Sequence, residues 1–84
     1  MSEERNVDDI LGAADDSVSL INGVNGGSWD VSDMSQSEIN DMVQRNVDHL
    51  SVILAYEEIV ADSRDKSSYT GAVSTGNTYI SDNS

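Results

Sequence analysis

The chain has 84 residues, sixteen of them acidic and four basic, for a formal net charge of −12. A chain this short forms one domain at most and buries a low fraction of itself, so its stability leans on partners as well as on a core. There is no cysteine, which excludes a disulfide framework and a thiolate metal site and leaves the redox compartment open.

The first predicted element is an acidic helix within residues 1–22. Val7, Ile10, Leu11, Ala14, Val18 and Ile21 recur at helical spacing. Asn6 is placed to cap the first turn, Asp8 and Asp9 suit its dipole, and Gly23 is the expected stop. Gly12 lowers helix propensity by about 1 kcal/mol relative to alanine, and Asp15, Asp16 and Ser17 are weak formers. The helix therefore needs tertiary contact to persist.

Residues 23–34 are dense in glycine, asparagine, serine and aspartate and have no helical period, so they read as a loop. The one large apolar group there is Trp29, the only tryptophan. It either caps the core between helices or stands out as an anchor for a partner, since tryptophan is enriched at interface hot spots.

Residues 35–62 read as one long central helix. Ser35 and Glu38 have capping-box spacing. Ile39, Met42, Val43, Val47, Leu50, Ile53, Leu54, Val60 and Ala61 fall on one broad stripe, while Val52, Tyr56 and Ile59 lie behind it. A helix apolar on two sides needs more than one neighbour, which favours an assembly role over catalysis. Two polar residues, Asn46 and Glu57, interrupt the stripe. Burying either without a partner costs on the order of 1 to 3 kcal/mol, so each should meet a donor or water, with Arg45 and Arg64 as candidates for Glu57.

Beyond Asp65, which is placed to cap, residues 67–81 carry Tyr69, Ala72, Val73, Gly76, Tyr79 and Ile80 at helical spacing. The composition, with Gly71, Gly76 and several serines and threonines, also permits a two-residue hairpin turn at Gly76 and Asn77. Spacing favours a short helix, since Ala72 and Gly76 on the stripe allow close approach to another helix. The expected fold is thus a single all-α domain over 1–84, with two or three helices and a hairpin between the long helix and the C-terminal one.

Chemical motifs are thin. His49, the only histidine, lies at the edge of the stripe without a visible orienting acid, nucleophile or further ligands. Asp30 to Asp33 has the first spacing of a calcium loop, yet Ser35 replaces the glycine at its sixth position and Asp41 the glutamate at its twelfth. Asp8 and Asp9, Asp15 and Asp16, and Glu57 and Glu58 are adjacent pairs that diverge by about 100° on a helix and form no acid/base dyad. Asp16-Ser17-Val18 looks superficially like the carrier motif of acyl carrier proteins, but Ser17 lies inside the first helical period rather than opening a second helix. No catalytic, cofactor-binding or metal-binding residue is expected, and no cofactor.

Residues 1–62 hold fourteen of the sixteen acids and two of the four bases, whereas residues 63–84 are neutral overall. Such a field repels nucleic acid and anionic membrane and suits a basic protein surface. No apolar run nears the roughly 20 residues that span a bilayer, and Met1 to Arg5 lacks the order of a secretion signal, so a soluble protein without a visible address is expected.

The segment Arg45 to Ala55, followed by Asp65-Lys66 and Thr75 to Ile80, resembles small virion-associated proteins of tailed bacteriophages over the C-terminal half. The resemblance implies a non-enzymatic structural subunit of the capsid, neck or tail, located in the virion, with other virion proteins or copies of itself as partners, and a helical last segment. It carries over no functional residues. The expected interface residues are Trp29, Val52, Tyr56, Ile59, Tyr69 and Tyr79. An acidic inhibitor or DNA mimic that occupies a basic cleft is the alternative, and a small acyl carrier is third.

Overall fold

The computed structural model of the chain describes residues 7–84; Asn6, the expected cap of the first helix, lies outside them. Four helices follow in order, α1 (Val7–Gly26), α2 (Gln36–Leu54), α3 (Glu57–Ala61) and α4 (Ser67–Asp82), and no strand occurs among the described residues. The fold is all-α, and α2 and α4 form the expected helical hairpin. The described chain measures 42 × 21 × 18 Å. Its cross-section is about two helix diameters, so every helix keeps one face in solvent.

α1 is longer than the sequence suggests. Gly23 does not stop it but sits buried beneath Trp29, where a Cβ would stand 3.2 Å from Trp29 Cβ and 3.3 Å from its Cε3. The residue is small so that the tryptophan can lie across the helix, and the next turn gains a buried Val24. The stop is Gly27, with φ +86°, the left-handed conformation that glycine adopts without strain. Gly27 N–H bonds to Val24 O and Ser28 N–H to Gly23 O, the paired pattern of a Schellman ending.

The expected 35–62 helix is two helices. α2 opens with the full capping box: Ser35 Oγ accepts from Glu38 N–H at 3.1 Å, and Glu38 Oε1 accepts from Ser35 N–H at 2.8 Å. The helix tightens at its end, where Ala55 and Tyr56 donate to Val52 and Ile53, and Tyr56 then turns extended at φ −68°, ψ 137° before α3 begins. The break has a packing reason. In an unbroken helix Ile59 would point away from the stripe formed by Val43, Leu50 and Ile53. The reset at Tyr56 turns Ile59 inward, where it is fully buried. α3 thus closes the core that α2 leaves open.

α4 starts where Asp65 accepts a hydrogen bond from Ser67 N–H at 2.8 Å. Tyr69, Ala72 and Gly76 are its buried residues. Gly76 makes no hairpin turn; it faces Val47, Val43 and Ile21, which leave no space for a side chain. Pairing of Asp15 with Tyr69 and of Ile21 with Gly76 sets α1 and α4 parallel. Pairing of Ser17 with Asn46 and His49, and the placing of Ile10 and Ile53 on one groove, set α2 antiparallel to α1. The core of Leu11, Ala14, Ile21, Ile39, Val43, Val47, Leu50, Ile53, Ile59 and Ala72 fills the space between these three helices.

Candidate functional site

Between α1 and the end of α2 lies a groove of about 170 Å³, lined by Asp9, Ile10, Ala13, His49, Ile53 and Tyr56. Beneath it runs a polar connection between the two helices. Asn46 Nδ2 donates to Met42 O at 2.8 Å, which turns its Oδ1 toward α1, where Ser17 Oγ stands 2.9 Å away. His49 Nδ1 is 3.1 Å from the same Ser17 Oγ. Asn46 Oδ1 can only accept, so both contacts are hydrogen bonds when the single serine proton goes to it and His49 Nδ1–H donates to the serine oxygen. Every member of the connection is satisfied, and no buried polar side-chain atom among the described residues lacks a partner.

That direction decides a chemical question. A serine beside a histidine and a nearby aspartate has the composition of a nucleophile, base and orienting acid. A nucleophile, however, must give its proton to the histidine and reach solvent. Ser17 gives its proton to Asn46 and is 3% exposed. The arrangement fixes the register of α1 on α2 instead. Asn46 meets the donor that its place on the stripe required; the donor is Ser17, whose own position among Ala14, Val18 and Ile21 is the signal that it faces inward.

The apolar residues that the core does not use gather at the α2–α3 junction. Val52, Tyr56 and Val60 are 53%, 43% and 65% exposed, at four-residue spacing, with Val60 N–H bonded to Tyr56 O. Trp29 is also exposed, and it packs one edge on Gly23. Of the expected interface residues, therefore, Trp29, Val52 and Tyr56 stand at the surface. Ile59 and Tyr69 are buried within the chain and offer nothing to a partner. Tyr79 is half-buried, its hydroxyl 3.0 Å from Gln36 Nε2. Ala13 was missed by sequence reasoning, while Ile10 was read only as part of the apolar stripe and Asp9 only for its charge; that the three share a groove follows once α2 is placed beside them.

The acids divide into engaged and displayed groups. Arg64 bonds to Asp8 and to Asp62, at 2.9 and 2.8 Å, and these carboxylates hold its guanidinium above its usual pKa. It does not meet Glu57, which is exposed in the first turn of α3. Asp62 is held below the usual carboxylate range by the backbone N–H of Arg64, Asp65 by that of Ser67, and Asp30 by that of Ser32. Tyr69 Oη donates to Asp15 at 2.8 Å. Asp30 thus closes a local turn with Ser32 rather than a calcium loop. No group of three or more histidine or acidic side chains among the described residues is arranged to hold a metal. No helix among them is long and apolar enough to cross a membrane.

The fold and surface define a small acidic helical bundle with a groove between α1 and α2 and exposed apolar side chains around the α2–α3 junction. Comparison of the chain with protein-family models, with curated proteins and with solved structures gave no match.

Proposed function

We propose that this chain is a non-enzymatic structural subunit of a bacteriophage particle, an accessory protein of capsid, neck or tail, that docks through its helices on other virion proteins. The observation that carries the assembly role is the exposure of three apolar side chains around the α2–α3 junction, Val52, Tyr56 and Val60, of which Tyr56 also lines the groove. Exposed apolar surface close to a concavity suits the binding of a protein partner. The particle is suggested by the resemblance of Arg45 to Ala55, Asp65-Lys66 and Thr75 to Ile80 to virion-associated proteins.

Two observations support this reading over its rivals. Asp8 and Asp15 are engaged by Arg64 and Tyr69, which interrupts the row of free carboxylates that a mimic of DNA phosphates needs. A carrier serine must be reached by a modifying enzyme, and Ser17 is buried with its proton committed.

Mass spectrometry of purified virions tests the proposal, with the chain expected among the particle proteins. Tyr56→Asp should abolish incorporation while leaving the free protein folded. Tyr56 is the N-cap of α3 and makes no side-chain cap bond, so aspartate there supplies a cap worth about 1 kcal/mol rather than removing support. Incorporation of this variant at the normal level would sink the idea.

A further inference from the structure

We propose that Asn25 is a site of spontaneous deamidation in the folded chain, and that its conversion loosens the seat of Trp29 at the end of α1. The inference is independent of the assembly reading above.

The chemistry comes from the residue types. Asn22 and Asn25 are the two asparagines followed by glycine, which has no side chain to crowd the approach of its own nitrogen to the neighbouring carboxamide. At Asn25 the Gly26 nitrogen bonds to Cγ, the Cγ–Nδ2 bond breaks, and ammonia leaves carrying the Gly26 amide proton. Water then opens the cyclic imide. Addition at Cγ gives aspartate, and addition at the main-chain carbonyl gives isoaspartate, whose backbone runs on through Cβ and Cγ. Either product adds a negative charge.

The structure separates the two pairs. The ring closes only when the asparagine leaves the helical backbone and the next N–H leaves its helical bond. Gly23 is buried, with Trp29 Cβ and Cε3 3.2 and 3.3 Å from where its own Cβ would stand. Its carbonyl oxygen accepts from Ser28 N–H and Trp29 N–H at 2.9 and 3.0 Å. Freeing the peptide after Asn22 therefore lifts Trp29 and uncovers Val24, which is buried. Asn25, Gly26 and Gly27 are exposed and arch outside that clasp. A Cβ on either glycine would meet nothing within 4 Å. Gly27 N–H reaches Val24 O only at 3.3 Å, long for such a bond. The arch can thus open without exposing the core, at the low end of the chain's opening free energies.

The product acts on the same turn. A new charge at the C-terminal end of α1 faces the negative pole of the helix. Isoaspartate also lengthens the main chain between Val24 and Gly26, and the bonds from Gly27 to Val24 and from Ser28 to Gly23 both span that point. They cannot keep their geometry, and the bond of Trp29 N–H to Gly23 O lies beside them.

The test incubates the whole chain at mildly alkaline pH, native and in urea, and locates the converted asparagine by tandem mass spectrometry of its peptides. In urea the two sites should convert at similar rates. In the native chain Asn25 should convert about tenfold faster than Asn22 or more, the factor that keeping one valine buried supplies. Gly26→Ala, at a position without positive φ and with open space for the Cβ, should keep the fold and slow conversion at Asn25 about tenfold. Tryptophan emission should shift in step with conversion. The site is overturned if native Asn25 converts no faster than Asn22, if it stays intact while the urea-unfolded chain converts, or if Gly26→Ala converts at the parent rate. Unchanged emission after full conversion overturns the link to Trp29.

Discussion

Tyr69 Oη donates to Asp15 Oδ1 at 2.8 Å, joining the first turn of α4 to the middle of α1 across 54 positions of sequence. Burial, with this bond, pushes the phenol from its ordinary 10.0 up to about 12. The folded chain keeps the Tyr69 proton where the unfolded chain has begun to lose it. The stability that this difference represents is complete below pH 10 and is lost as pH rises toward 12. Its size is on the order of 2 to 3 kcal/mol. Thermal midpoints followed through this window should fall for the parent and fall less for Tyr69→Phe; equal slopes would show that the phenol ionises as freely in the fold as outside it.

The same substitution at two glycines of α4 should have opposite signs. At Gly71 a Cβ meets nothing within 4 Å, so Gly71→Ala should stabilise the chain by about 0.5 to 1 kcal/mol through helix propensity. At Gly76 a Cβ would collide with Val47 Cγ2 and press on Val43 Cγ1 at 3.3 Å. Overpacking there should outweigh the propensity gain and leave Gly76→Ala destabilised by about 1 to 3 kcal/mol. Urea midpoints of the two variants, measured side by side, check the pair.

Ser17→Ala removes the only hydroxyl in the connection between α1 and α2, leaving Asn46 Oδ1 and His49 Nδ1–H without their mutual partner. Asn46 is half-buried and His49 exposed, so water replaces part of what is lost. A cost of about 1 kcal/mol is expected, at the low end for a broken buried hydrogen bond. A double-mutant cycle with Asn46→Ala should return a coupling of similar size, and a coupling near zero would mean the bond contributes nothing to holding the helices in register.

Arg64 fastens the segment before α4 to the start of α1, but from an exposed position. Arg64→Gln should therefore lower stability only slightly, and less still at high salt. Chemical denaturation at low and high ionic strength gives both values.

The legible part of this fold was the part written in local chemistry. The Ser35 and Glu38 capping box acts within one turn, and the stripe from Ile39 to Ile53 and the small residues Ala72 and Gly76 are marked by spacing along their own helix although they pack on other helices; each is found as read. What was not legible depends on residues far away in sequence. Gly23 reads as a stop until Trp29 is seen to lie on it. Ile59 reads as surface because the period of an unbroken helix puts it there, and only the need to close the core over α2 explains the reset at Tyr56. The groove is of the same kind: its two walls are each unremarkable as sequence, and they become a concavity only when α1 lies antiparallel to α2.

α4 fills the space between α1 and α2, with Gly76 set against Ile21, Val43 and Val47, and it is the last of the helices to be synthesised. While the ribosome is still working toward residues 67–82, the apolar residues that become the inner faces of α1 and α2 have no lid. The core between α1 and α2 is consequently closed only when residues 67–82 have joined them. Until then, the nascent chain must keep its apolar cleft from its neighbours, and the density of negative charge already present on α1 and α2 is what holds other chains at a distance.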